Sequence, residues 1–382
     1  MKLCRGTFFQ FDSIFLSGSF RLFSGNRNIL KRAVTILSFS REIHLSSFAI
    51  FNQILSLISF IESTRLFFFY YSEQNIPYNP ININTKWKQY GVTVAGGNDN
   101  GNQLNQLAGP SGIYVDDDHQ CIYIADCQNK RIMRWTFNAR SGQIVAGGNG
   151  FGSRSDQLKN ARDVIVDKKT DSLVICDTDN YRVVQWPCEN GTNGETILSH
   201  ISCAHAVMDH EGDLYISDYY GDVVRRYQIG NSNGTIVAGG NGRGNRLDQL
   251  DRPGFIFVDK NCSVYVSERG NHRVVKWLDG AKEGIVVAGE QDQRNRLTQL
   301  NRPTGLIVDH LENIYVCDSG NSRVMYWPKG STEGRIIVGG NGKGNASNQL
   351  DCPKGLAFDR QGNLYVVDWA NHRVQKFNVD FD

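Results

Sequence analysis

At 382 residues the chain has room for two or three ordinary domains, or for one large repetitive β domain. Its formal charge of +2 singles out no polyanionic partner, and that balance is uneven. Residues 1–89 carry ten Lys and Arg against four Asp and Glu, whereas residues 90–382 sum to −4, which weighs against nucleic acid as the partner of the second part.

Residues 1–89 form a leader rich in Phe, Ile, Leu and Ser. Within it, 43–61 ("IHLSSFAIFNQILSLISFI") runs 19 residues without formal charge, about the length that spans a bilayer as a helix. Lys31, Arg32 and Arg41 ahead of it would hold the N-terminus in the cytoplasm and place the rest outside; His44, Asn52 and Gln53 weaken the span. An amphipathic or disordered leader is the other reading. A membrane-anchored or secretory chain with an extracellular second domain is slightly favoured over a cytoplasmic one. Texture changes near residues 75–90, so the second domain is taken as 90–382.

From residue 90 the chain repeats. An acid closing a "Val-Asp"-like strand recurs at Asp116, Asp167, Asp209, Asp259, Asp309 and Asp359, spaced 51, 42, 50, 50 and 50 residues apart. A second acid follows at Asp126, Asp177, Asp218, Glu268, Asp318 and Asp368, and nine residues later an aromatic at Trp135, Trp186, Tyr227, Trp277, Trp327 and Phe377. Each unit reads as four short strands; in the fourth these are "FIFVD", "SVYVSE", "RVVKW" and "IVVAG". The sixth unit ends at Asp382 before its fourth strand, and a spare copy, "VTVAGG", stands at 92–97. That arrangement predicts an all-β fold, a six-bladed β-propeller of four-stranded antiparallel blades. The N-terminal strand closes the last blade, and an apolar, helical or unstructured leader precedes the ring.

The units "RPTGLIVDHLENIYVCDSGNSRVMYW" and "CPKGLAFDRQGNLYVVDWANHRVQKF" resemble NHL repeats, in their Pro-x-Gly, Val-Asp, Tyr-Val-x-Asp and Asn-x-Arg-Val signatures. The resemblance covers about residues 92–382. It implies the propeller fold but not one activity, because such propellers serve as ubiquitin-ligase substrate modules, RNA binders, sensor ectodomains and a zinc lyase.

An acid, an amide and a guanidinium recur together in five units. They are Asp126 with Asn129 and Arg131, Asp177 with Asn180 and Arg182, and Glu268 with Asn271 and Arg273. Asp318 with Asn321 and Arg323, and Asp368 with Asn371 and Arg373, complete the series. Catalysis needs one constellation and architecture needs one per blade, so these are read as structural. Asn is expected at the turn's left-handed residue, with Arg returning to the acid or to a strand end. The five Gly-rich connectors ("GNGRGNRLDQL" and its copies) read as turns rather than phosphate loops, since no helix follows them. Their third position, Asp99, Gly150, Gly242, Asp292 or Gly342, is expected to have positive φ. Leu107, Leu158, Leu250, Leu300 and Leu350 should pin the connector. A calcium reading of 98–102 ("NDNGN") falls short of the carboxylate count of a strong site.

The third unit breaks the pattern. Only ten residues separate Ser199 from Asp209, so the connector is missing and a notch is expected in one rim. "SHISCAHAVMD" brings His200, Cys203 and His205 within six residues, a candidate zinc set of non-standard spacing; Gly221 and Val223 stand where the Asn and Arg of the set are lost, and Arg225 and Arg226 lie nearby. With Arg162 and Asp163, the latter at the position equivalent to His205, these are the candidate binding residues. No catalytic residue stands out.

Of nine cysteines, Cys176 and Cys317 are read as buried apolar substitutes, and Cys188 with Cys203 as a candidate pair. Sequons at Asn190, Asn233, Asn261 and Asn345 permit secretion. The leading reading is a monomeric, non-enzymatic propeller that binds a protein or small molecule at a rim or in the channel, without a required cofactor. A metal-dependent lyase or hydrolase and an RNA-binding propeller are the alternatives.

Overall fold

The computed structural model describes residues 81, 84–189, 191–228, 231, 233–289 and 295–381. The leader segment 43–61 and Asn190 therefore lie outside the described residues. Among the described residues no helix is long and apolar enough to cross a membrane.

Six four-stranded antiparallel sheets succeed one another along the chain. Blade one runs Pro110–Asp116, Cys121–Asp126, Arg131–Thr136 and Gln143–Gly147, from the innermost strand outward. Blades two to five repeat this order from Ala161, Cys203, Pro253 and Pro303. The six innermost strands neighbour each other in a closed cycle around a central channel, the sixth (Pro353–Phe358) returning to the first. Val and Ile dominate the second and third strands because both faces of each are covered by adjacent blades: Cys121–Asp126 and Leu364–Asp368 are buried throughout. Outermost strands such as Gln143–Gly147 are exposed at their first two residues and buried only near the end.

Closure follows the sequence reading. Val92–Gly96 pairs antiparallel with Arg373–Phe377 and completes blade six, so its edge is covered. A second seam lies beside it: Lys86–Trp87 pairs with Val379–Asp380. Trp87 is buried there, 5.9 Å from both the Tyr315 and Phe358 rings, and its indole N–H donates to the Gly362 carbonyl at 2.9 Å.

The core lies between blades rather than in one centre. The repeated aromatics Trp135, Trp186, Trp277, Trp327 and Phe377 are buried in successive inter-blade clusters, as expected for packing residues; Tyr227 of blade three is only half-buried. The pinning leucines, Leu107, Leu158, Leu250, Leu300 and Leu350, are all fully buried.

Two cysteine readings are corrected. Cys176 is not a free apolar substitute and Cys203 does not pair with Cys188. Instead Cys176 and Cys203 form a disulfide, with their Cα atoms 5.1 Å apart, joining the second strand of blade two to the innermost strand of blade three. Cys188 is buried and free, and so is Cys317. The partner of Cys203 was hidden because the contact crosses a blade boundary, where strand order along the chain says nothing about which residues face each other.

Candidate functional site

The acid–amide–guanidinium sets hold the connectors. In blade one Arg131 Nε and Asn129 Nδ2 each donate to Asp126 Oδ2 at 2.8 Å, while Asp126 Oδ1 accepts the Ala108 N–H at 2.7 Å. The free guanidinium nitrogens of Arg131 then reach the connector carbonyls of Asn102, Gln103 and Gln106.

The other four blades that carry the set repeat these bonds. In blade two Asn180 and Arg182 donate to Asp177, and Arg182 goes on to the carbonyls of Ser153, Arg154 and Gln157. In blade four Asn271 and Arg273 donate to Glu268, and Arg273 reaches the carbonyls of Asn245 and Arg246. Asn321 and Arg323 do the same for Asp318 in blade five. In blade six Asn371 and Arg373 donate to Asp368, and Arg373 reaches the carbonyls of Asn345, Ala346 and Gln349. Burial pushes the carboxyls of Asp126, Glu268, Asp318 and Asp368 up, against the lowering effect of their Asn, Arg and backbone partners.

One detail of the expected turn is corrected. Asn129, Asn180, Asn271, Asn321 and Asn371 do not take the left-handed residue. That residue is the next one, Lys130, Tyr181, His272, Ser322 or His372, at φ between 52° and 58°. Each Asn must keep its amide within reach of the acid, so the turn falls one step later. Arg131, Arg182, Arg273, Arg323 and Arg373 return to the acid, and their remaining nitrogens go to the connector rather than to a strand end.

The connectors close on themselves. Gln106 Nε2 donates to the Asn98 carbonyl at 2.7 Å, and Gln157, Gln249 and Gln349 repeat this. A Cβ at Gly101 would come within 2.1 Å of the Gln106 amide, which is why glycine stands there. Asp99, Gly150, Gly242 and Gly342 have positive φ as expected; Asp292 lies outside the described residues. The Asn98 side chain and carbonyl, which the calcium reading needed, are engaged inside this loop.

The irregular third unit now has a single explanation. Between Glu195–Ser199 and Cys203–Met208 only residues 200–202 remain, so there is no connector to hold. The Asn and Arg positions are Gly221 and Val223 because their clients are gone, and the Cys176–Cys203 disulfide ties the junction instead. Zinc at this place is not supported. Cys203 is spent in the disulfide, His200 is exposed on a left-handed turn, and among the described residues no group of three or more His, Cys, Asp or Glu is arranged to hold a metal. Arg225 and Arg226 also point elsewhere: Arg226 Nε pairs with Asp213 Oδ2 at 2.7 Å and Arg225 reaches the Gly234 carbonyl.

Arg162, Asp163 and His205 are brought together, at the channel. Asp163 is fully buried and accepts the Ala206 N–H at 3.0 Å; His205 Nε2 stands 3.5 Å from it. The His205 Nδ1 accepts from the Ile256 N–H at 3.4 Å, and its ring lies 4.3 Å from that of Phe255. Burial pushes His205 down and Asp163 up, each opposed by the other. The corresponding residues of blades one, five and six are Gly112, Gly305 and Gly355, so three side chains from adjacent blades fill the throat.

Beyond the throat, on one side, a channel of about 140 Å³ is lined by apolar residues such as Ile165, Val207, Ile256, Ile307 and Leu356. On the other side, where the innermost strands begin, the mouth widens into a cavity of about 420 Å³. Two positions per blade build most of it. One is the residue after the first of each innermost strand: Ser111, Arg162, Ala204, Gly254, Thr304 and Lys354. The other follows the second acid: Cys127, Tyr219, Arg269, Ser319 and Trp369, with Thr178 at the same place in blade two. Arg302 stands on the lip. Of these only Arg162 was singled out from sequence. The signal was present, because these are the positions at which six otherwise matching units disagree most in chemistry.

The mouth is cationic. Its lining holds Arg162, Arg269, Arg302 and Lys354 and no Asp or Glu. Rings hold the cations in place: the Arg162 guanidinium sits 4.7 Å over Tyr219, Arg269 Nη1 is 3.5 Å from the Tyr219 hydroxyl, and Lys354 Nζ lies 5.4 Å over Trp369. Burial, reinforced by Arg269 and Arg162, pushes the Lys354 amine down to about 8.

Residues 350–377 match the NHL repeat family. Among solved structures, a protein of unknown function from Bacteroides thetaiotaomicron superposes with a TM-score of 0.62 at 15% identity, covering 77% of each chain. An auxiliary nutrient binding protein from the same organism gives 0.60 at 16%, covering 78% of this chain and 77% of its own. A gluconolactonase from Xanthomonas campestris gives 0.51 at 13%, covering 72% and 88%. At such identities the likeness is one of fold. Comparison with curated proteins finds no match. The domain is a six-bladed β-propeller, and its last blade carries a match to the NHL repeat.

Proposed function

We propose that this propeller is a non-enzymatic binding module that takes a small molecule at the wide mouth of its channel. The observation that carries the reading is the cavity of about 420 Å³, concave, fed by all six blades and lined by aromatic rings and positioned polar groups. Its residues occupy the columns where the blades diverge, whereas residues that recur in every blade serve the framework. The auxiliary nutrient binding protein of the same fold is in keeping with such a role.

The blade-three notch is not the centre of this reading; of its candidates only His205 reaches the channel, in the throat behind the cavity. A hydrolase or lyase would have to use the Asp163–His205 pair there. Thermal-shift and calorimetric screening of a small-molecule panel, run beside turnover assays on lactone and ester substrates, separates the two. Saturable binding without turnover, weakened by Tyr219→Ala, is expected. Turnover that His205→Ala abolishes would replace the binding reading with the enzyme one.

A further inference from the structure

We propose that the mouth is an anion site, taking a compact small molecule with two or more negative charges, such as a phosphoryl or polycarboxylate compound, held by Arg162, Arg269, Arg302 and Lys354. The inference deepens the binding reading above and rests on it. Four cations from blades two, four, five and six converge on one cavity, and among the described residues none of them has an ion-pair partner. Elsewhere on the same face two cations are neutralised. Arg243 is 2.9 Å from Asp222, and Lys343 is 3.3 Å from Asp351. Lys130 and Lys159 also lack an acidic partner among the described residues, but four such cations meet in the concavity, so positive charge is densest there. That suits a small ligand seated in the mouth better than a polyanionic strand lying across it.

The positions also suit anion chemistry. Arg162 and Arg269 share Tyr219, one over its ring and one at its hydroxyl, so their planar donors are held rather than left to wander. Lys354 is packed over Trp369 in surroundings that disfavour its charge, and an anion would restore that charge. Thr304 and Ser319 supply hydroxyls at the same wall.

The test is calorimetric titration of the purified protein with citrate, inorganic phosphate, glucose and a short single-stranded RNA. One site per chain for citrate or phosphate is expected, and the tighter of the two tells a carboxylate from a phosphoryl source. Lys354→Met and Arg269→Ala should each weaken binding by about tenfold or more. Lys343→Ala on the rim should leave it unchanged. Melting curves confirm that each variant is folded; Lys354→Met removes an unfavourable charge and serves if Arg269→Ala does not fold. Silence of both anions, or binding indifferent to these variants, overturns the proposal. Glucose binding that Tyr219→Ala abolishes, with both anions silent, overturns the charge assignment but leaves the binding reading standing. RNA binding tighter than either anion overturns both.

Discussion

At the scale of single residues, the chain separates what recurs from what varies, and the two do different work. Asp318, fully buried, receives Arg323 Nε at 2.7 Å and Asn321 Nδ2 at 2.8 Å, while Arg323 also satisfies connector carbonyls. Removing the cation leaves a buried carboxylate and the connector carbonyls of Asn295, Arg296 and Gln299 without their donor. Arg323→Ala should therefore cost about 3–5 kcal/mol in urea denaturation. Val223, which stands at the same place in blade three, has no such client, so Val223→Ala should cost about 1–2 kcal/mol, as for any trimmed core side chain. Equal losses at the two positions would show that the set does not hold the connector. The recurring residues were legible from sequence because five copies of one pattern exclude a unique catalytic role. Their detailed turn was not: the left-handed residue sits at Ser322 and its equivalents, one step past the Asn, which is fixed by hydrogen-bond reach rather than by propensity.

At the scale of elements, blade three shows how one deletion propagates. Without the connector, the amide and guanidinium that would bind it are absent too, and the link shrinks to residues 200–202. The Cys176–Cys203 disulfide spans a separation of 27 residues at this junction. By loop-closure entropy such a bridge stabilises by about 3–4 kcal/mol. Cys203→Ser should lose about that much, and peptide mapping of unreduced protein should recover the Cys176 and Cys203 peptides joined. Recovery of a Cys188–Cys203 peptide instead would contradict the pairing. The break in the repeat was plain in the sequence, but its meaning was not. His200, Cys203 and His205 look clustered along the chain, yet one is on an exposed turn, one is in a disulfide and one lines the throat. His200 precedes the strand and a shift of register separates Cys203 from His205, so closeness along the chain does not give convergence.

At the scale of the whole molecule, the ring gathers what the sequence scatters. The number of blades, their strand order and the closing strand Val92–Gly96 were legible from the period and from the unit that ends short. The cationic mouth was not, because Arg162, Arg269, Arg302 and Lys354 lie up to 192 residues apart and stand at positions the repeat does not constrain. An overall charge of −4 for residues 90–382 even pointed the other way. An average over the domain hides a local excess when most charges are paired on the outer surface.

Lys354 gives the account its sharpest test. Its amine titrates at about 8 in the folded protein against 10.5 ordinarily, so between those values the unfolded chain holds more protons and stability rises with pH. The same titration removes a positive charge from the mouth, so anion affinity must fall as pH rises through 8. The measurement is the affinity of the protein for citrate from pH 7 to pH 10 at constant ionic strength. Wild-type protein should weaken by about tenfold or more across that range, and Lys354→Met protein, weaker at the outset, should show a flat profile. A flat profile in the wild type, or the same slope in both proteins, would contradict the account.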